Sequence, residues 1–207
     1  MSSGRGALVI ACGALAREIA ALRRVNAWTQ LDVCYLPPEL HNRPERIAAA
    51  VQETIRANRD RYPHIFVAYG DCGTGGGLDA MLHAEGIERI PGAHCYEFFA
   101  SPQVFAALAE AEPGTFYLTD FLVRHFERLV TRSLGLDRHP ELAPMYFKNY
   151  RKVVYLAQAP CEESLSKAQA IAAHMGLVFE FRFTGYGGLG ASLSRVAGEA
   201  EAAAWRA

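Results

Sequence analysis

The 207-residue chain carries no excess charge of either sign: 21 Lys and Arg stand against 22 Asp and Glu, for a net charge of −1. That balance gives no electrostatic case for binding nucleic acid or an anionic membrane. No apolar run approaches the roughly 20 residues that span a bilayer. Residues 1–5 contain one basic side chain and lead straight into a strand-like run, with no separate apolar core or cleavage signal, so a cytoplasmic protein is expected. Cysteine is scarce as well, at five residues. An odd count without a secretory signal argues against disulfides and leaves metal binding, redox chemistry or plain burial. The chain has no C-x-x-C pair, which weakens the case for a closed structural zinc. It also lacks the G-K-S/T of a P-loop and a clean G-x-G-x-x-G, which places nucleotide binding below a metal site. Neither a low-complexity linker nor a regular repeat breaks it, so one α/β domain over residues 1–207 is expected.

What the chain does have is apolar content, 51% of residues, in short runs separated by helical periodicity. Ala7-Leu8-Val9-Ile10-Ala11, residues 31–36, Ile65-Phe66-Val67-Ala68, residues 87–90, Thr115-Phe116-Tyr117-Leu118-Thr119, residues 153–157 and residues 178–183 read as strands. Helical patterns fall between most of them, including one over residues 120–134. Alternation of this kind predicts a doubly wound, mostly parallel sheet with helices on both faces.

The most informative stretch is Tyr69-Gly70-Asp71-Cys72-Gly73-Thr74-Gly75-Gly76-Gly77-Leu78-Asp79, with five glycines among eleven residues directly after a strand. Glycine accepts positive φ and admits close approach of another backbone. In an open α/β sheet, the carboxyl ends of the strands are where ligands bind. Cys12 follows the first strand, Cys72 the third and Cys95 the fourth, so parallel strands would bring all three thiols to one edge. Gly13, Gly70 and Gly73 leave room for a bulky ligand there. Any one buried cysteine is more often core than ligand; three at three strand ends are harder to dismiss. Cys34, in mid-strand, reads as packing. Cys161, at a helix N-terminus, reads as a surface capping residue whose thiol pKa the helix dipole lowers.

Three thiolates with one open position suit two chemistries: a [4Fe-4S] cluster whose fourth iron is free for substrate, and a catalytic zinc. His94, adjoining Cys95, and His41 are candidate acid/base groups, with Asp71 to orient one of them. Asp71 would also repel a phosphate from the glycine segment. The leading expectation is therefore a metal-centre enzyme acting on a small polar molecule. The alternative is a metal-handling accessory protein with the same thiols and no acid/base histidine. The aromatic run Tyr146-Phe147-Lys148-Asn149-Tyr150 suggests a homodimer surface or core.

Leu40-His41-Asn42-Arg43-Pro44-Glu45, Tyr69-Gly70-Asp71-Cys72-Gly73, Ile90-Pro91-Gly92-Ala93-His94-Cys95 and Pro113-Gly114-Thr115-Phe116-Tyr117-Leu118-Thr119 together resemble the domain-of-unknown-function family numbered 1638, and Ala11-Cys12-Gly13-Ala14-Leu15 also fits. The likeness runs over about residues 7–183. Gly92 stands where the family pattern carries arginine, and the glycine segment departs in detail after Gly73. The resemblance implies a bacterial or archaeal protein, associated with corrinoid-dependent methyl transfer and so with one-carbon metabolism and corrinoid methyl-transfer partners, and it extends the accessory-protein alternative to corrinoid handling. It favours Cys12, Cys72 and Cys95 over Cys34 and Cys161, because only those three fall inside the family's motifs. The arrangement is also similar to that of quinolinate synthase and small-molecule desulfidases, whose three cysteines hold a [4Fe-4S] cluster at the mouth of α/β domains.

Overall fold

A computed structural model describes residues 6–204. Its strands and helices are β1 Ala7–Cys12, α1 Ala16–Val25, β2 Leu31–Leu36, α2 Ile47–Asn58, β3 His64–Ala68, α3 Gly77–Glu85, β4 Glu88–Arg89, α4 Cys95–Ala100, α5 Pro102–Ala111, β5 Thr115–Thr119, α6 Asp120–Phe126, α7 Ala143–Phe147, β6 Lys152–Ala157, α8 Glu162–Met175, β7 Val178–Phe183 and α9 Gly187–Ala204. Every strand pairing is parallel. The α/β class read from the alternation holds, with the strands shared between two sheets. The chain divides into two compact units, Met1–Phe98 with Gly187–Ala207, and Phe99–Tyr186. Residues 1–5, on which the expectation of a cytoplasmic protein rests, lie outside the described residues. Among the described residues no helix is long and apolar enough to cross a membrane.

The first unit holds the sheet β2-β1-β3-β4. All six residues of β1 are buried, as expected for a strand flanked by others and covered on both faces. The chain leaves β1 toward β2 and then returns past it to β3 and β4. Right-handed crossovers therefore put α1 on the face opposite α2 and α3. At such a reversal the strand ends on either side diverge and leave a crevice. Here those ends belong to β1 and β3, in the register Ala11↔Ala68. α9 returns at the end of the chain to pack on β1 and β3, with the Arg195 guanidinium 5.6 Å from the Phe66 ring centre.

The second unit holds β5-β6-β7. Leu118, Val123, Val153, Tyr155, Ala168 and Ile171 form the centre of its core between the sheet and the helices α6 and α8. Phe147 and Tyr150 of the aromatic run meet the Phe116 ring edge-on and are half-buried, while Tyr146 is 40% exposed. The helix expected over residues 120–134 changes character midway. His125 leaves helical dihedrals (φ −112°, ψ 15°), and residues Glu127–Thr131 wind as a π-helix. The apolar spacing barely differs between the two windings, so periodicity alone does not separate them.

Asp120 ties the start of α6 to the end of β6. It is 3% exposed and accepts from the Tyr155 hydroxyl at 2.6 Å, the Gln158 amide at 3.2 Å and the Ala159 amide at 2.8 Å. Removing the acceptor leaves buried donors unpaired. Asp120→Ala is expected to cost about 1–3 kcal/mol in urea unfolding, and Asp120→Asn, which keeps one acceptor oxygen, measurably less.

Candidate functional site

The site is built where β1 and β3 end. Cys12 is the last residue of β1, and its sulfur accepts the Ala14 amide at 3.3 Å, capping a single 3-10 turn, Gly13–Leu15. A Cβ on Gly13 would come within 3.0 Å of the Leu36 carbonyl oxygen and the Pro38 ring, so β2 leaves the sheet against bare backbone. Beyond β3, Tyr69 and Gly70 stay buried. The glycine segment then pairs with the loop after β4, Asp71 N–H to Gly92 O at 3.1 Å and Cys72 N–H to Ala93 O at 2.8 Å. That contact needs a glycine at 70, where a Cβ would lie 3.2 Å from Ala93 O and the His94 backbone. Cys72 itself has φ +50°. A non-glycine residue in the left-handed region costs roughly 1–2 kcal/mol, and such conformations gather at functional sites.

Arg89 fixes the third arm. Its Nε and Nη2 donate to the Asp79 carboxylate at 2.6 and 2.8 Å, and its Nη1 donates to the carbonyls of Ile90 and Gly92 at 2.8 and 3.0 Å. The chain then turns through His94 into α4, which begins at Cys95. Glu97 accepts the Ala93 amide at 3.0 Å.

Cys12, Cys72 and Cys95 line one enclosed cavity with His41, Tyr69, Leu15 and Phe98. Its volume, about 10 Å³, admits about one water molecule. Burial pushes the Cys12 thiol up to about 11 and the Cys72 thiol up to about 12; the Cys12 thiol beside Cys72 adds to the latter. Cys95 is raised further by burial and by both neighbouring thiols. As a residue Cys95 is only half-buried, but its thiol is enclosed. All three are neutral thiols at pH 7, and a cation in the cavity would reverse that preference by offsetting the repulsion among thiolates. Among the described residues no group of three or more His, Cys, Asp or Glu side chains is disposed to hold a metal ion.

His41 comes from the 3-10 turn Pro38–Asn42, which folds back beside the end of β1. Its Nδ1 lies 3.1 Å from the Pro38 carbonyl oxygen and 3.7 Å from the Cys12 sulfur. A carbonyl can only accept, so Nδ1 carries the proton in that contact. Burial lowers the imidazole pKa, with the Pro38 carbonyl working against it and His94 adding to it. The ring stacks on Tyr69 with centroids 6.2 Å apart. Tyr69 is 1% exposed, and its buried hydroxyl has no nitrogen or oxygen partner among the described residues. It faces the Cys12 sulfur, and burial and the adjacent thiols raise its pKa.

The remaining sequence candidates fall elsewhere. His94 is exposed and lies against Tyr96 with centroids 6.1 Å apart, outside the cavity wall. Asp71 orients no histidine: its carboxylate takes the Thr74 hydroxyl and the amides of Gly75 at 3.2 Å and Gly76 at 2.9 Å. Those amides at the start of α3 are therefore already occupied by an anion, which removes the room for a phosphate. Gly73, at φ +84°, rests against Pro44. Cys34 sits half-buried in β2. Cys161 caps α8 in a reciprocal pair with Ser164 and is exposed, with its thiol pKa lowered by Ser164. Tyr69, Arg89 and Asp79 are site residues that the sequence reading missed. The one available signal was an arginine inside a short strand. A larger cavity of about 570 Å³ lies in the second unit, bordered by Phe126, Phe147, His174 and Leu177. It contains no thiol or carboxylate, so the chemistry favours the small one.

A family model described as "Protein of unknown function (DUF1638)" matches residues 35–193. Cys72 and Cys95 fall within the match, and Cys12 precedes it. Neither a curated protein nor a solved structure matches the chain.

The hydrogen bonds to Asp71 hold its pKa below the ordinary value, chiefly through the Thr74 hydroxyl and then the Gly76 amide. They stabilise the loop above the unfolded-state pKa, and that contribution disappears as pH falls through the depressed folded-state value. The Gly75 and Gly76 amide resonances should titrate together with a midpoint below 3.8, the unperturbed value. In Asp71→Asn the titration should be absent.

Proposed function

The chain belongs to that family of unknown function, and from its own residues we propose that Cys12, Cys72 and Cys95 hold a thiophilic metal centre that binds and activates a small polar molecule. The observation that carries the reading is the meeting of three thiols, from three separate strand-to-helix junctions, in one enclosed cavity at the reversal of the sheet. Thiolates are the natural ligands of iron–sulfur clusters and of zinc. Three of them leave one coordination position for an exchangeable ligand.

A [4Fe-4S] cluster is the leading candidate. The Ala14 amide on the Cys12 sulfur is the kind of N–H···S bond that tunes such a cluster. Zinc is the second reading, favoured by the size of the cavity: about 10 Å³ is closer to a single ion, for which the three thiols would have to draw into ligand positions they do not now hold, whereas a cluster requires the loops bearing Cys72 and Cys95 to move apart. Either centre would supply Lewis acidity at its open position.

The chain's own groups divide the remaining work. The His41 N–H, shared between Pro38 O and the Cys12 sulfur, stabilises the thiolate form of Cys12. The Tyr69 hydroxyl, which faces the Cys12 sulfur, is available to donate to that sulfur as a thiolate or to a ligand inside the cavity. The Arg89–Asp79 pair holds the loop that delivers Cys95. A histidine in the cavity wall favours the enzyme over the accessory protein, and it is His41 rather than His94. Reduced thiols suit a cytoplasmic setting. One-carbon chemistry with a corrinoid protein as partner is what the family resemblance adds to this reading, and it rests on that resemblance alone.

Protein purified without oxygen should carry either iron with acid-labile sulfide and a broad band in the visible blue, or zinc without colour. Cys72→Ser should lose that metal. Cys34→Ser should keep it and lose at most the roughly 1–3 kcal/mol of a poorly partnered buried hydroxyl. Equal metal content in the two variants would remove the site assignment.

A further inference from the structure

Among the described residues β7 pairs with β6 alone, which makes it an edge strand. Val178 and Phe183 are each 66% exposed there, and Phe181 is 41% exposed. Natural sheets blunt open edges with proline, bulges or inward charges. Val178-Phe179-Glu180-Phe181-Arg182-Phe183 has neither proline nor glycine. We propose that this edge is where two copies of the chain join, β7 against β7, into one continuous six-stranded sheet.

Backbone direction and charge agree on a single register. Val178 N–H donates to Arg151 O and Thr184 N–H to Ala157 O. These even-numbered positions face β6. By the alternation of a strand, the amide and carbonyl groups of Phe179, Phe181 and Phe183 face the open edge. A two-fold axis through Phe181 sets Phe181 opposite Phe181 of the partner subunit, and Phe179 opposite Phe183 of the partner subunit. All of these are hydrogen-bonded pairs. Glu180 then falls opposite Arg182 of the partner subunit in a non-hydrogen-bonded pair, where side chains come closest. Moving the axis to Glu180 or Arg182 would oppose like charges and turn the wrong amides toward each other.

The charged groups are placed for the exchange. Glu180 holds Lys152 on one oxygen at 2.7 Å and Arg182 of its own strand on the other at 2.6 Å. Arg182 is 58% exposed. Pairing lets the second oxygen pass to Arg182 of the partner subunit while Lys152 stays in place. Because both copies use the same patch, the contact is isologous and closes at two subunits.

Sedimentation velocity on the full chain tests this. The wild type should be a dimer at micromolar concentration. Arg182→Glu and Glu180→Arg each place like charges opposite each other twice and should weaken association about 10-fold or more. An equimolar mixture of the two variants restores both opposite-charge pairs and should recover the dimer. Phe183→Lys, at a position exposed in the single chain, should also be monomeric. A monomeric wild type, dimers undiminished in the single variants or in Phe183→Lys, or a mixture that stays monomeric would each overturn the proposal.

Discussion

The placement of β1 between β2 and β3 is the constraint on which the site depends. Because the chain leaves β1 in one direction and comes back past it in the other, the ends of β1 and β3 lie side by side with no crossover helix capping the gap. Cys12 ends the first of these strands, and the Gly70–Cys72 turn ends the second. Gly13 and Gly70 make the arrangement possible at close quarters, each meeting foreign backbone where a side chain would stand. The β4 loop then needs only two amide–carbonyl bonds to the glycine segment to bring Cys95 into the same cavity.

The cavity is costly to fold. Three thiols share an apolar enclosure, a tyrosine hydroxyl is buried without a nitrogen or oxygen partner, and Cys72 occupies a left-handed backbone conformation. Each of these opposes folding. Cys12 and Tyr69 nevertheless fill the core alongside Leu15, Ile19 and Phe66. The surrounding structure compensates with rigid supports: the Asp71 carboxylate ties the glycine segment to the start of α3, and Arg89 pins the next loop through four hydrogen bonds. A ligand that bound the thiols as thiolates and accepted the Tyr69 hydroxyl would relieve the first two costs together.

Much of this was legible in the sequence. Short apolar runs alternating with helical patterns mark a parallel α/β fold, because buried parallel strands carry no polar alternation. The same runs place Cys12, Cys72 and Cys95 at strand ends. The division of strands between two sheets was not legible, since a run such as residues 115–119 does not reveal which strand it will pair with. The choice between His94 and His41 was likewise hidden. His94 adjoins Cys95 in sequence but projects into solvent. His41 is 29 positions from Cys12 and reaches it only because Pro37 and Pro38 turn the chain back as β2 ends. Asp71 looked like a catalytic or anion-repelling group, and it is a loop cap. Adjacency in sequence reports turns well; it reports contacts between loops from different strands poorly.

Whether Cys12, Cys72 and Cys95 share one metal centre is decided by anomalous diffraction. A crystal grown from protein purified without oxygen, with diffraction recorded across the iron and zinc absorption edges, should show an anomalous peak bonded to the sulfurs of Cys12, Cys72 and Cys95, with Tyr69 and His41 alongside. A peak bonded to other residues, or no peak in this cavity, would contradict the account.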